Sequence, residues 1–227
     1  MTVGKAKTRF EATEIEVRPR DARRSAITLA PIQPEELADI WPPDNGALEY
    51  IPIVHRPVVR SWKHLTGGSN GVLWGLYAGD HPAKEMVGYV TGAIEPGNVF
   101  SLGRTITQCR NRGRGIGMLA ALGVASFVFD KLSLVAVEAY TLTANQPARI
   151  SLARAGFVGL PHGMSHEAYA YGQAGEGSSS TYSMHVAFAP GCSVAQLPQF
   201  YKAEAHMVEK SQRNYAIARI AVDIVYR

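Results

Sequence analysis

The sequence predicts a mixed α/β (α+β) fold, a mostly antiparallel sheet flanked by helices. Three observations predict it. Runs of strand character at 72–78, 86–94 and 98–107 are separated only by the short turn signals Gly79-Asp80-His81-Pro82 and Glu95-Pro96-Gly97-Asn98, as in an antiparallel meander. Fifteen residues without a charge, Gly115 to Phe129, are too few to span a bilayer, which takes about 20, and suit a buried helix. After that come a run rich in β-branched residues (134–142), a helical stretch from Pro147 to Ala155 stopped by Gly156, and a strand over 181–188.

Composition agrees with a globular chain. With 46% hydrophobic and 19% charged residues among 227, disorder and collagen-like repetition are excluded. The length slightly exceeds one typical domain, so we divide it into an N-terminal extension (1–24), one domain (25–190) and a C-terminal extension (191–227). A net charge of +4 is a mild excess that suits an anionic ligand and is too weak to argue for nucleic acid. The two cysteines, Cys109 and Cys192, follow no apolar leader, so the expected setting is the reducing cytoplasm, with neither disulfide nor membrane.

The remaining elements follow in order. Ile15 and Val17 alternate with charges before Pro19 as a short strand, and 26–30 reads as another. Gln33-Pro34-Glu35-Glu36 opens a helix, with acids where the helix dipole favours them. The stretch 41–71, rich in Pro, Gly and aromatics, is the expected substrate cap, with Trp41, Tyr50 and Trp62 as candidate lining and 57–65 as its one helical piece. Trp74 lies on a strand and reads as core. Residues 172–180 form a flexible loop by composition. In the tail, Val194, Leu197, Tyr201, Met207 and Val208 have helical spacing, while Ile220, Val222, Ile224 and Tyr226 alternate like a strand. That pattern fits one long helix or a helix followed by a strand. Its apolar face either packs on a second copy, giving a homodimer, or covers the chain's own sheet.

Chemistry concentrates at Arg112-Gly113-Arg114-Gly115-Ile116-Gly117. These residues follow a predicted strand and open a predicted helix, so main-chain N–H groups and the positive end of a helix dipole converge there. Glycines allow close approach by a ligand, and two arginines neutralise its charge, which is what a phosphate needs. The bland alternative is a tight turn with solvated arginines. The ending and spacing of the P-loop and dinucleotide fingerprints are absent, which disfavours both.

A second motif lies some thirty residues on, Asn145-Gln146-Pro147-Ala148 followed by Gly156-Phe157. Together, R-x-x-G-x-G, a strand, N-x-x-A and the later G-F resemble the GNAT superfamily of acyl-CoA-dependent N-acetyltransferases. The segments 126–132 and 137–140 look most like its ribosomal-protein N-terminal branch. Resemblance implies a GNAT-like fold in which the meander and the next, parallel strand splay apart around acetyl-CoA. It implies that Arg112, Gly113, Arg114, Gly115, Ile116 and Gly117 hold the pyrophosphate. Ile106 and Thr107 would pair with the pantetheine amides, and Asn145 would touch the same arm. The acceptor would be a primary amine, either a protein N-terminus or a small molecule.

At the catalytic positions the sequence departs from the family pattern. Glu138 stands where related enzymes carry a base, and an ion-paired structural carboxylate is an equal alternative. Many GNAT members protonate the leaving thiolate with a Tyr seven residues after the Asn, and that position here is Leu152. Ser151 and Tyr140 are substitutes. Because the departing thiol has a pKa of about 8.5, losing the acid slows the reaction without abolishing it. A base-poor enzyme favours α-amino groups, which are ~10% neutral at pH 7, over lysines, which are neutral below ~0.1%. No metal is expected: His162 and His166 are four apart but lack a third ligand, and Cys109 has no partner base. Two rival readings are a CoA-binding module without turnover and an acyltransferase that uses another acyl thioester.

Overall fold

The structure is a computed structural model of the chain. It describes residues 12–21, 23–32, 71–79, 85–107, 111–160, 182–198 and 204–227, with 104–107 and 182 described by their backbone alone. The expected helix opening at Gln33, the cap over 41–70 with Trp41, Tyr50 and Trp62, Cys109, the pair His162 and His166, and the loop 172–180 lie outside the described residues.

Nine strands form one sheet. In chain order they are β1 (Ile15–Pro19), β2 (Ile27–Pro31), β3 (Gly71–Ala78), β4 (Glu85–Glu95), β5 (Val99–Thr107), β6 (Ala136–Leu142), β7 (Val158–Leu160), β8 (Tyr182–Phe188) and β9 (Val222–Tyr226). Across the sheet they run β7-β8-β6-β5-β4-β3-β2-β1-β9. Every pairing is antiparallel except β5 with β6. The meander is therefore as expected, its β4–β5 hairpin turning through Gly97 and Asn98, both at positive φ.

Three α-helices occur among the described residues: α1 (Ile116–Phe127), α2 (Gln146–Arg154) and α3 (Ala205–Ile220). Helix α1 is the uncharged run, and it continues into a π-helical turn, Val128–Leu132, which Ser133 ends in the left-handed conformation. It is buried on nearly all sides, against β1, β2, β5, α2 and α3. That burial explains its apolar composition, since a helix enclosed by a curled sheet has no solvent face. Gly123 lets it approach β1, where an added Cβ would lie 2.7 Å from a Val17 methyl. Trp74 is fully buried and meets Phe127 edge-on at 6.5 Å, so the core reading of that tryptophan is correct. Each fully buried large side chain of α1 contributes about 2 kcal/mol of hydrophobic stabilisation.

Within 1–24 and 191–227, the described residues include strands β1 and β9 of the same sheet. Strand β1 joins β2 to β9, and the tail is a helix followed by a strand. The expected helical run from Val194 is corrected: Val194–Gln196 is a single 3-10 turn with a Ser193 capping box, and Leu197 is extended. Pro198 accounts for this, because residues before a proline avoid the helical region. Ser211 docks α3, accepting the Phe188 N–H at 3.1 Å and donating to the Gly156 carbonyl at 3.2 Å. Tyr215 donates to Ser126 of α1 at 2.9 Å, both groups being buried. Strand β7 has only three residues and was not anticipated.

Candidate functional site: a wedge between two parallel strands

Strands β5 and β6 pair over four rungs only, from Val99 opposite Ala136 to Leu102 opposite Ala139. Beyond that, β5 continues to Thr107 on β4, and β6 continues to Leu142 on β8. The register of β4 and β5 slips between Val90 and Gly92, so two steps on β4 face three on β5, from Leu102 to Thr105. Such a bulge bends and twists its strand, and here it carries β5 away from β6. Gly103 sits in the bulge because a Cβ there would fall 2.3 Å from the Thr91 hydroxyl and 3.0 Å from its carbonyl. The result is a wedge walled by 103–107 and 140–142, whose inner main-chain groups no ladder bond joins.

Helix N-termini stand at both lips. After β5 comes the glycine turn. Gly113 and Gly115 have φ of +77° and +80°, and an added Cβ at either would meet nothing within 4 Å. Gly115 caps α1 without any side-chain cap, and no acid occupies the first turn, so the first N–H groups of α1 lack a side-chain acceptor. This uncapped helix start is flanked by exposed Arg112 and Arg114, an arrangement that can accept an anion. After β6 comes Asn145, whose Oδ1 accepts the Ala148 N–H at 3.1 Å and caps α2. The start of α1 adjoins the middle of α2, the position of a Gly117 Cβ lying 3.7 Å from Ser151 Oγ. Ligands of open α/β sheets bind at such carboxyl ends, where neighbouring strands diverge.

The predicted site residues divide as follows. Arg112 through Gly117 and Asn145 gather at the mouth, and Ile106 and Thr107 form one wall through their backbone. Glu138 and Tyr140 share the face of β6 that carries Met184 and Val186 of β8, and Tyr140 donates to Met184 Sδ at 3.1 Å. Glu138 is buried, at 4% exposure, beside the last rungs before the wedge. Ser151 is not with them. It lies on α2, which packs on the opposite face of the sheet, its Leu152 in one core cluster with Val137 and Ala139.

Sequence reasoning missed two groups. Asn111 is buried, at 4% exposure; its Oδ1 accepts from Arg114 at 3.1 Å, which orients that guanidinium, while its Nδ2 has no partner. Only its place beside the arginines signalled it. His185 is also buried. Ser183 Oγ lies 3.2 Å from its Nε2 and donates to the Thr141 carbonyl at 3.4 Å, which selects the Nε2–H tautomer and leaves Nδ1 a buried acceptor without a partner. Burial, and secondarily the charge of Arg149, lower its pKa. The signal was two polar residues, Ser183 and His185, on one face of an otherwise apolar strand. Arg149 in turn ties α2 to the end of β6 by donating to the Thr143 carbonyl at 3.1 Å. No group of three potential metal ligands occurs among the described residues.

No family model matches the chain, and no curated protein matches its sequence. Solved structures do match. Mycobacterium smegmatis RimJ, in complex with CoA-disulfide, superposes with a TM-score of 0.59 over 93% of this chain and 96% of that one, at 16% identity. A GCN5-related N-acetyltransferase from Brucella melitensis gives 0.54 over 89% and 88%, at 13% identity. This chain has the GNAT fold. Spermidine N-acetyltransferase from Vibrio cholerae, in complex with CoA and spermine, shares it with a TM-score of 0.53 over 71% of this chain and 95% of that one, at 14% identity. Identities this low support the fold of the GNAT proteins and leave the activity of this chain to its own residues. Among the described residues no helix is long and apolar enough to cross a membrane.

Proposed function

We propose that the chain is an acyl-CoA-dependent N-acetyltransferase that moves the acetyl group of acetyl-CoA directly to a primary amine. The observation that carries this reading is the wedge between β5 and β6 with the glycine turn at its mouth. Acyl-CoA fits the wedge in two ways. Its pyrophosphate suits the first N–H groups of α1, with Arg112 and Arg114 neutralising charge. Its pantetheine arm carries amides that pair, as a strand would, with the free edge of β5 at Ile106 and Thr107, while the Asn145 amide reaches the same arm from the facing lip.

In this reading the neutral amine attacks the thioester carbonyl carbon within a ternary complex. A C–N bond forms, and the oxyanion is met by a main-chain N–H near Thr107. The C–S bond then breaks and the thiolate leaves. Glu138 accepts the proton lost by the amine, and Tyr140 or solvent supplies one to the thiolate. A protein α-amino group is the favoured acceptor, because enough of it is neutral at pH 7 without strong base catalysis. Ser151, beside Gly117, stands at the pyrophosphate end of the wedge, away from the reacting carbonyl.

One observation favours a second reading, a CoA-binding module without turnover: Leu152, buried in the core, occupies the position at which the resemblance calls for a hydroxyl donor. Release of free thiol from acetyl-CoA, followed with a panel of N-terminal peptides and small amines, decides between the two. Turnover with at least one amine is the expected result, and its absence across the panel alongside intact CoA binding leaves the module.

A further inference from the structure

Strand β9 is the outermost strand of the sheet beside β1, and β1 is its one strand partner among the described residues. The phase of that pairing is fixed. Glu14 and Arg227 exchange both main-chain bonds at 2.9 Å, and the Arg20 N–H donates to the Ala221 carbonyl at 3.0 Å. By antiparallel alternation, the main-chain groups of Asp223 and Val225 point at β1, and those of Val222, Ile224 and Tyr226 point away from the sheet. Side chains alternate as well: Val222, Ile224 and Tyr226 face the core, whereas Asp223, Val225 and Arg227 are exposed on the opposite face. Helix α3 packs on the core side of this edge. Its Ile217 and Ile220, three residues apart on one helix face, are 65% and 68% exposed. Arg219 Nη1 donates to the Val222 carbonyl at 3.2 Å, so among the described residues the unpaired part of the edge is Ile224 to Tyr226, and such an edge is a template for another strand.

We propose that a second copy of this chain occupies the edge. In it β9 pairs antiparallel with β9 about a two-fold axis at Val225, and Ile217 and Ile220 of the two α3 helices pack across that axis. Charge and hydrogen-bond phase together select the register. Only the even-numbered residues have outward main-chain groups, so these must pair with one another. Setting Ile224 opposite the partner's Tyr226 uses both sets of bonds. That register also puts Val225 opposite its own copy and Asp223 opposite the partner's Arg227, opposite charges on one face. Pairing Ile224 with its own copy instead would set Asp223 against the partner's Val225 and lose both matches. Asp223 and Arg227 are already oriented, by Arg20 at 3.0 Å and by Glu16 at 2.7 Å. The interface is thus isologous, with a backbone ladder between an apolar and a charged layer. It stands independently of the acetyltransferase reading.

Sedimentation velocity over a micromolar concentration range tests it. The expected result is a dimer whose dissociation constant rises by about 100-fold in the Ile217→Asp/Ile220→Asp variant, with the far-UV circular dichroism of the protomer unchanged because both side chains are exposed in one copy. Register is tested by cysteine. Directly opposite residues in a non-hydrogen-bonded pair have Cα atoms about 4.5 Å apart, within disulfide range, so Val225→Cys should cross-link two chains on mild oxidation. Asp223→Cys and the wild-type chain should not. A monomer at every concentration, a dimer indifferent to the isoleucine changes, or cross-linking through Asp223→Cys in place of Val225→Cys would overturn the proposal.

Discussion

Gly115 meets a demand of the fold and, in the proposed function, one of the ligand. Its φ of +80° costs an L side chain about 1 kcal/mol, and the space in front of it is open. Gly115→Ala should therefore lower the unfolding midpoint modestly and weaken acetyl-CoA binding by about tenfold, measured by thermal scan and calorimetry. Glu138→Gln, at a buried position beside the wedge, should lower kcat by about 100-fold while KM for acetyl-CoA changes little, if Glu138 is the base. His185 makes a pH prediction. Burial holds its folded pKa below the unfolded value, so the unfolded chain binds the extra proton as pH falls. The stability is complete above the unfolded pKa of about 6.5 and is lost progressively as pH falls towards the folded pKa. The melting temperature should drop between pH 7.5 and 5.5, and His185→Gln should flatten that drop. The glycine turn was legible because its chemistry is local. Asn111 and His185 were not, since their significance lies in partners they lack inside the fold.

At the level of elements, the anchor of α3 is one hydroxyl. Ser211→Ala leaves the buried Phe188 N–H without an acceptor and should destabilise the protein by about 2 kcal/mol in urea unfolding. The meander, the buried helix and α2 were readable from periodicity and from punctuation such as Gly97-Asn98 and Gly156. The parting of β5 from β6 was expected only through the family resemblance, because it depends on a bulge opposite Val90 and Gly92 that no local pattern encodes. The boundary between α3 and β9 is an alanine, Ala221, without glycine or proline, so the pattern of the tail admitted two readings. Strand β7 escaped because three residues give no period to detect.

At the scale of the whole molecule, the described part of the tail ties the elements together. Helix α3 bonds to β8 through Ser211 and to α1 through Tyr215, then hands the chain to β9 beside β1, and Tyr226 donates to Asp130 at 2.8 Å just beyond α1. The tail therefore completes the layer around α1. A chain truncated after Gly191 should lose cooperative thermal unfolding, since it uncovers the surface that buried Val208 and Tyr215 now cover. The same architecture sets the glycine turn at the carboxyl end of β5, facing the α2 cap across the wedge. Calorimetric titration of acetyl-CoA into the wild-type protein and into Gly115→Glu tests that arrangement most directly. The account predicts saturable one-to-one binding to the wild type and none to the variant, whose carboxylate would fill the glycine turn and repel pyrophosphate. No heat with the wild type, or equal binding by both, would contradict it.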